Sequence, residues 1–192
     1  YGQVCVRTIS KCLLLTLSKI VSISSLVNCS SLNHLYPCSN LYSLSTEYAP
    51  PITKIFLPVK LHESFSILKK HIDEVNPDII ILCGQAASRS KISIETKARN
   101  VLGRSIDESD EITSNIIVED GPTAYFSKFP TVEALSYLLH NDIPVELSNN
   151  AGEYICNALY YQVMHYYPDI ETVFIHFPLY KNQVDNKGID LD

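Results

Sequence analysis

The chain has 192 residues and a formal net charge of −6, with 46% hydrophobic and 19% charged residues. This length allows one compact domain with a substantial core, and an acidic balance without a basic block argues against a nucleic-acid partner. No apolar run approaches the roughly 18 residues of a membrane-spanning helix, so we expect no membrane partner either.

The first 49 residues differ in composition from the rest, because Ser, Leu and Cys dominate them. The apolar run Cys12–Val27, with Arg7 and Lys11 before it, faintly resembles a secretory leader. A divergent, truncated or mistranslated N-terminal segment is the preferred interpretation. We therefore predict an atypical segment at residues 1–49 and an α/β domain at residues 50–192.

The six cysteines are not distributed like a disulfide framework. Four of them lie in the first segment, namely Cys5, Cys12, Cys29 and Cys38. The other two, Cys83 and Cys156, fall in separate predicted elements. Free thiols of this kind are typical of a reducing compartment, so we predict a cytoplasmic protein.

From residue 50 onward, predicted strands and helices alternate. The strands are Lys54–Val59, Ile79–Cys83, Asn115–Val118, Val145–Leu147 and Thr172–Phe177. The helices are Ser64–Val75, Val132–Leu139 and Ala151–His165. Such alternation predicts a single-domain, three-layer α/β/α sandwich with a mostly parallel, doubly wound sheet, like phosphorylases and hydrolases of this class. Binding sites in such sheets lie at the carboxyl ends of strands, and polar segments begin after Cys83, after Leu147 and at His176.

The segment after Leu147 contains a candidate nucleophile. Ser148, Asn149 and Asn150 are natural helix N-cap residues, and they precede Cys156 in the first turns of the predicted helix. The helix dipole and the unpaired N–H groups there favour a thiolate and can bind an oxyanion. By itself, however, Cys156 could equally be an inert packing residue.

Three sequence blocks, in this order, carry a resemblance to a known family. They are C-G-Q-A-A-S-R-S-K-I-S-I-E-T-K-A-R-N at residues 83–100, S-N-N-A-G-E-Y-I-C-N-A-L-Y-Y at residues 148–161, and V-F-I-H-F-P at residues 173–178. Together they resemble the pyroglutamyl peptidase I family of cysteine peptidases, also called pyrrolidone carboxyl peptidases. The resemblance covers residues 54–192.

The resemblance implies a catalytic triad. Cys156 is then the nucleophile, His176 its base, and Glu95 the group that orients the imidazole. Without the resemblance, His176 could be a core histidine bonded to a backbone carbonyl. Glu95 could lie on a solvated strand face.

The resemblance also implies residues that contact the substrate. The backbone of Gln85 is expected to contact the lactam of a pyroglutamyl ring, and Tyr154 and Ile155 to pack against that ring. Arg89 matches a loop arginine that pairs with a carboxylate or braces the loop.

Both ends of the chain depart from the family pattern. The family's G-F-x-P-F-G-G-like loop is not found in residues 1–50, so part of the substrate pocket is in doubt. The closing residues Gly188–Asp192 resemble only the start of a last long helix, so we expect the chain to be cut short there.

The activity implied is hydrolysis of the bond after an N-terminal pyroglutamyl residue, through a thioester on Cys156. Pyroglutamylated peptides are then the substrates, no cofactor or metal is implied, and the family often forms homo-oligomers. Three alternatives remain: an inactive family member without the N-terminal loop, a different doubly wound enzyme such as a nucleoside phosphorylase-like one, or a redox role for Cys156.

Overall fold

The computed structural model describes residues 53–103 and 115–179, together with the backbone of residues 4–9. Eight strands and three helices lie in these ranges. The strands are β1 (Val4–Ile9), β2 (Thr53–Leu57), β3 (Ile79–Gln85), β4 (Ile92–Glu95), β5 (Lys97–Arg99), β6 (Ala124–Phe126), β7 (Val145–Ser148) and β8 (Glu171–Phe177). The helices are α1 (Leu61–Val75), α2 (Thr131–His140) and α3 (Ile155–Tyr166).

Six strands form one mixed sheet in the order β2-β1-β3-β8-β4-β7, while β5 and β6 form a separate two-stranded ladder. In the large sheet, β3 runs parallel to β8 and β4 runs parallel to β7. By contrast, β4 is antiparallel to β8, and β1 is antiparallel to both β2 and β3. Helices cover both faces, so the predicted α/β class is confirmed.

Strand β3 shows how the sequence divides the core into two layers. Its side chains alternate, because successive residues of a strand point to opposite faces. Ile80 and Leu82 belong to the core cluster that contains residues of α1 and α3. Ile79, Ile81 and Cys83 belong to the second cluster, which contains residues of α2. A strand buried on both faces has no reason to carry polar residues, which explains its continuous apolar run.

Helix α3 is the most deeply packed of the described helices. Leu159, Tyr160, Tyr161 and Val163 are fully buried in the first core cluster. Burial of these four apolar side chains within five residues holds the helix firmly against the sheet. The residues of its first turn therefore have a fixed position relative to the strands below.

The start of α3 differs from the prediction. The helix begins at Ile155 rather than at Ala151, and its N-cap is Tyr154 instead of one of residues 148–150. No side chain caps this helix by a hydrogen bond. Cys156 is nevertheless the second residue of the helix, so it lies in the first turn as the sequence predicts.

The strand predicted at Asn115–Val118 is wrong, because these residues form bends that lead into a turn at residues 119–120. The side chain of Asn100 satisfies the backbone groups that a neighbouring strand would otherwise satisfy. Its Oδ1 accepts from the N–H groups of Ile117 and Val118, each at 2.9 Å. Its Nδ2 donates to the carbonyl oxygens of Val118, at 2.7 Å, and Gly121, at 3.2 Å.

The direction of β7 corrects a second expectation. The sequence predicts that the three blocks meet at the carboxyl ends of strands, and β3 and β8 do end at the same edge. Strands β4 and β7 run the opposite way, since β4 is antiparallel to β8. Residues 149–154 must therefore lead from the end of β7 back to α3, whose first turn lies beside Gly84 in β3.

The segment predicted to be atypical contributes β1 to the sheet, between β2 and β3. The run Cys12–Val27, the predicted boundary at residues 49 and 50, and the closing residues Gly188–Asp192 lie outside the described residues. Within the described part, neither Cys83 nor Cys156 is joined in a disulfide. None of the helices described is both long and apolar enough to cross a bilayer.

Candidate active site

Antiparallel pairing of β4 with β8 brings Glu95 and His176 together. Ser93 lies opposite His176 and Glu95 lies opposite Phe174, so Glu95 and His176 are diagonal neighbours on one face of the sheet. Their side chains meet although 81 residues separate them in sequence, with His176 Nδ1 2.7 Å from Glu95 Oε1.

This contact determines which nitrogen of the imidazole carries a proton. Glu95 is 0% exposed and His176 is 4% exposed, so water does not compete for the hydrogen bond. An ionised carboxylate can only accept, and Nδ1 therefore carries the proton and donates it. When the ring is neutral, the other nitrogen, Nε2, carries the lone pair and can act as a base.

Gly84 provides the space in which the Cys156 thiol lies. It is the cross-strand neighbour of His176 in the β3–β8 pair. A Cβ atom at this position would lie 3.1 Å from Cys156 Sγ and 3.0 Å from the ring of Phe174. Since Gly84 and His176 are adjacent on the same face of the sheet, Cys156 is held in the neighbourhood of His176.

Cys156 as a whole residue is partly exposed, but its thiol group is strongly desolvated. Burial raises its pKa to about 12 and the Glu95 carboxylate acts in the same direction, whereas its own backbone N–H and the Arg89 guanidinium lower the pKa. This corrects the expectation that the helix end leaves a thiolate, because desolvation outweighs the N–H group. A thiol with so high a pKa needs a base to take its proton when it reacts.

Arg89 is the second partner of Glu95. Its Nη2 lies 2.7 Å from Glu95 Oε1, the same oxygen that contacts His176, and also donates to the Asn150 carbonyl oxygen at 2.9 Å. The other carboxylate oxygen, Oε2, has no hydrogen-bond partner within the described ranges. Arg89 thus both pairs with a carboxylate and braces a loop, the two roles that the sequence offers for it.

Arg99 holds the same loop from β5, and sequence reasoning missed it. Its Nη2 contacts Asn150 Oδ1 at 3.0 Å, the Gly152 carbonyl oxygen at 3.4 Å and Glu153 Oε1 at 3.2 Å. The residue stands in the first sequence block, but its partners are 51 to 54 residues away. No local pattern in the sequence connects them.

Asn157, directly after Cys156, fixes the first turn of α3 to the end of β5. Its Oδ1 accepts from the Arg99 N–H at 2.9 Å. Its Nδ2 donates to the carbonyl oxygens of Arg99 at 2.8 Å and Val101 at 3.0 Å. The residue is fully buried, so these three bonds replace all contact with water. Sequence reasoning missed this residue as well.

The three predicted substrate-contacting residues lie at the end of β3 and at the start of α3. Gln85 is the last residue of β3 and lies opposite Phe177. Tyr154 is the N-cap of α3 and is 56% exposed, whereas Ile155 is 4% exposed and belongs to the first core cluster. Tyr154 is therefore the more accessible of the two apolar side chains. Among the residues the structure describes, no group of His, Cys, Asp and Glu is placed to hold a metal ion.

Comparison with known proteins gives one consistent family. The profile of the family described as "Pyroglutamyl peptidase" matches residues 40–190. A pyrrolidone-carboxylate peptidase of Thermosipho melanesiensis is 39% identical over 142 residues, which cover 71% of this chain and 70% of the relative.

Solved structures agree with the sequence relatives. A mutant pyrrolidone carboxyl peptidase from Pyrococcus furiosus superimposes with a TM-score of 0.64 at 37% identity, covering 69% of this chain and 66% of that one. Pyroglutamyl peptidase I from Bacillus amyloliquefaciens superimposes with a TM-score of 0.63 at 31% identity, covering 68% and 65%. The chain thus spans about two thirds of the length of the relatives it matches, and slightly less for the two structures.

Proposed function

The chain belongs to the pyroglutamyl peptidase family, and we propose that it hydrolyses the bond after an N-terminal pyroglutamyl residue of peptides with Cys156, His176 and Glu95 as its triad. The observation that carries the proposal is the buried 2.7 Å hydrogen bond between His176 Nδ1 and Glu95 Oε1. It lies on the sheet face against which the Cys156 thiol packs, and such a pair is what an imidazole base requires.

In the acylation step, His176 Nε2 takes the proton of the Cys156 thiol as Sγ attacks the carbonyl carbon of the pyroglutamyl residue. Backbone N–H groups in the first turn of α3 lack acceptors within the helix and stabilise the oxyanion. The C–N bond then breaks, and His176 returns the proton to the leaving amine. A thioester on Cys156 remains.

In the deacylation step, His176 takes a proton from water, and the resulting hydroxide attacks the thioester. The C–S bond breaks, free pyroglutamate leaves, and the proton returns to the Cys156 sulfur. Glu95 holds the ring in the required tautomer and stabilises the imidazolium that forms twice in the cycle.

The substrates we propose are peptides with an N-terminal pyroglutamyl residue. A lactam ring is small and uncharged, so an apolar surface with one or two backbone hydrogen bonds suffices to recognise it. Gln85 supplies the backbone contact in this proposal, and Tyr154 and Ile155 the apolar surface. That Cys83 and Cys156 are not joined in disulfides supports a reducing location such as the cytoplasm.

The proposal is tested with a fluorogenic pyroglutamyl amide as substrate. We expect Cys156→Ala, or treatment with iodoacetamide, to abolish its hydrolysis, and Cys156→Ser to lower kcat by several orders of magnitude, because a hydroxyl is a far weaker nucleophile at neutral pH. Cys83→Ala is the matched control, since Cys83 is buried in the opposite core cluster and its loss leaves turnover intact.

Two results contradict the proposal. Turnover that survives Cys156→Ala would assign the cysteine to packing, as in a different doubly wound enzyme. No turnover by a folded protein would favour an inactive member of the family.

A further inference from the structure

We propose that Arg89 is a positioning residue that keeps Glu95 ionised for His176 and ties this charge to the loop before the nucleophile. The inference rests on the proposed function, because it assigns a role within the same site. It concerns a contact that the triad alone does not explain, namely the second partner of Glu95 Oε1.

The first step is the isolation of the Glu95 carboxylate. The side chain is fully buried, and its Oε2 has no partner in the described part of the chain. Its ion-pair contacts are those of Oε1 with Arg89 and His176. A buried carboxylate needs a compensating charge, and a guanidinium carries a permanent one whereas an imidazole does not. Arg89 therefore supplies the positive charge of the resting site.

The second step is that a single nitrogen atom of Arg89 contacts both the carboxylate and the loop. Arg89 Nη2 carries two hydrogens, and it lies 2.7 Å from Glu95 Oε1 and 2.9 Å from the Asn150 carbonyl oxygen. Asn150 lies in the segment that leads into α3 and Cys156. The orientation of the carboxylate and the path of this segment are consequently set by the same guanidinium group.

The third step concerns the charges that change during the reaction. The groups facing Glu95 are His176 from β8, Arg89 from the β3–β4 connection, and Cys156 and Tyr160 from α3. Tyr160 donates to the backbone oxygen of Glu95 at 2.9 Å and not to its carboxylate. When the thiol proton moves to His176, an ionised Glu95 is needed to stabilise the imidazolium. Loss of Arg89 favours a neutral, protonated Glu95 instead.

Arg99 provides a matched control for this role. It contacts the same segment at Asn150, Gly152 and Glu153, and these side-chain contacts do not involve Glu95. An effect on the kinetics that both substitutions share reflects loss of contacts to the segment before α3. An effect of Arg89 alone reports the charge next to Glu95.

The experiment compares Arg89→Met, Arg89→Gln, Arg89→Lys and Arg99→Met in the full chain. One readout is kcat/KM for the pyroglutamyl amide from roughly pH 5 to 9. The other is the infrared absorption of protonated carboxyl groups near neutral pH, assigned to Glu95 by its loss when Glu95→Gln is added to the same variant. Far-UV circular dichroism and melting establish that each variant is folded, and Arg89→Gln replaces Arg89→Met if the latter does not fold.

For the uncharged Arg89 variants we expect the acid limb of the kcat/KM profile to move up by about one pH unit or more, and a protonated-carboxyl band from Glu95 that the wild-type protein lacks. Arg89→Lys keeps the position of the limb. Arg99→Met lowers kcat/KM by a similar factor at every pH and leaves the limb in place.

Superimposable profiles and carboxyl bands for the uncharged Arg89 variants and Arg99→Met would overturn the inference, and so would a shifted limb in Arg89→Lys. If the wild-type protein shows no turnover at all, the proposed function fails. The infrared measurement still decides the role of Arg89, because it requires no substrate.

Discussion

Gly84 is the residue on which the position of the nucleophile most directly depends. A Cβ atom there would lie 3.1 Å from Cys156 Sγ and 3.0 Å from the Phe174 ring, so both side chains would have to move. Displacing a reacting atom by a fraction of an ångström is costly for the rate. The absence of a side chain at residue 84 is therefore a requirement of the proposed chemistry.

We expect Gly84→Ala to lower kcat/KM by about 100-fold and the free energy of unfolding by about 1–3 kcal/mol. Steady-state kinetics and urea denaturation measure the two effects. A variant with unchanged kcat/KM would show that the thiol does not need the space above Gly84.

The raised pKa of Cys156 makes a prediction about pH. A group with a pKa of about 12 is protonated at neutral pH. As long as the pH stays below this pKa, the thiolate fraction grows tenfold for each unit by which the pH is raised. Alkylation of Cys156 by iodoacetamide is therefore expected to accelerate about tenfold per pH unit between about pH 7 and 10. A plateau near neutral pH would instead indicate a thiolate–imidazolium pair in the resting protein.

The triad residues could be found from the sequence only through the resemblance. Taken singly, His176 in an apolar strand and Glu95 after Ile94 each have an ordinary structural explanation. Their contact depends on the β4–β8 register, which joins residues 81 positions apart. Their roles in catalysis stay predictions until the variants are measured.

At the scale of elements, the start of α3 is held by side chains from outside the helix. Asn157 makes three hydrogen bonds to the backbone around β5, and no side chain caps the helix. Removal of its amide leaves several buried backbone groups without partners, and each such group is costly. The first turn, with Cys156, is the part of the helix that this loss would release.

We expect Asn157→Ala to lower the free energy of unfolding by about 2–4 kcal/mol and to reduce turnover as well. The control is Asn141→Ala at the end of α2, where an exposed amide donates a single bond to the Tyr137 carbonyl oxygen, with an expected cost of about 0.5 kcal/mol. Equal losses of stability in urea denaturation would contradict the argument.

The boundaries of elements were predictable where periodicity is long and uncertain where it is short. The helices at α1 and α2 and the buried strand β3 were identified within a few residues. Strands β4, β5 and β6 have three or four residues each, too few for a period to be recognised. The N-cap of α3 was misassigned because Asn150 bonds to Arg99 and to the Gly152 N–H instead.

At the scale of the whole molecule, alternation of strands and helices was sufficient to predict an α/β sandwich. The order and direction of the strands were not predictable, because they depend on pairings between distant segments. The position of β1 between β2 and β3 and the reversed direction of β4 and β7 are examples. The sandwich accounts for about two thirds of the length of the relatives that it matches.

The antiparallel contact of β4 with β8 has a consequence for how the protein reaches its native state. The hydrogen bond between His176 and Glu95 closes a loop of 81 residues, and contacts of such high sequence separation form late in refolding because chain entropy opposes them. Helices form on local contacts and can appear much earlier. Enzymatic competence would accordingly be among the last properties that a refolding chain recovers, well after its helical signal.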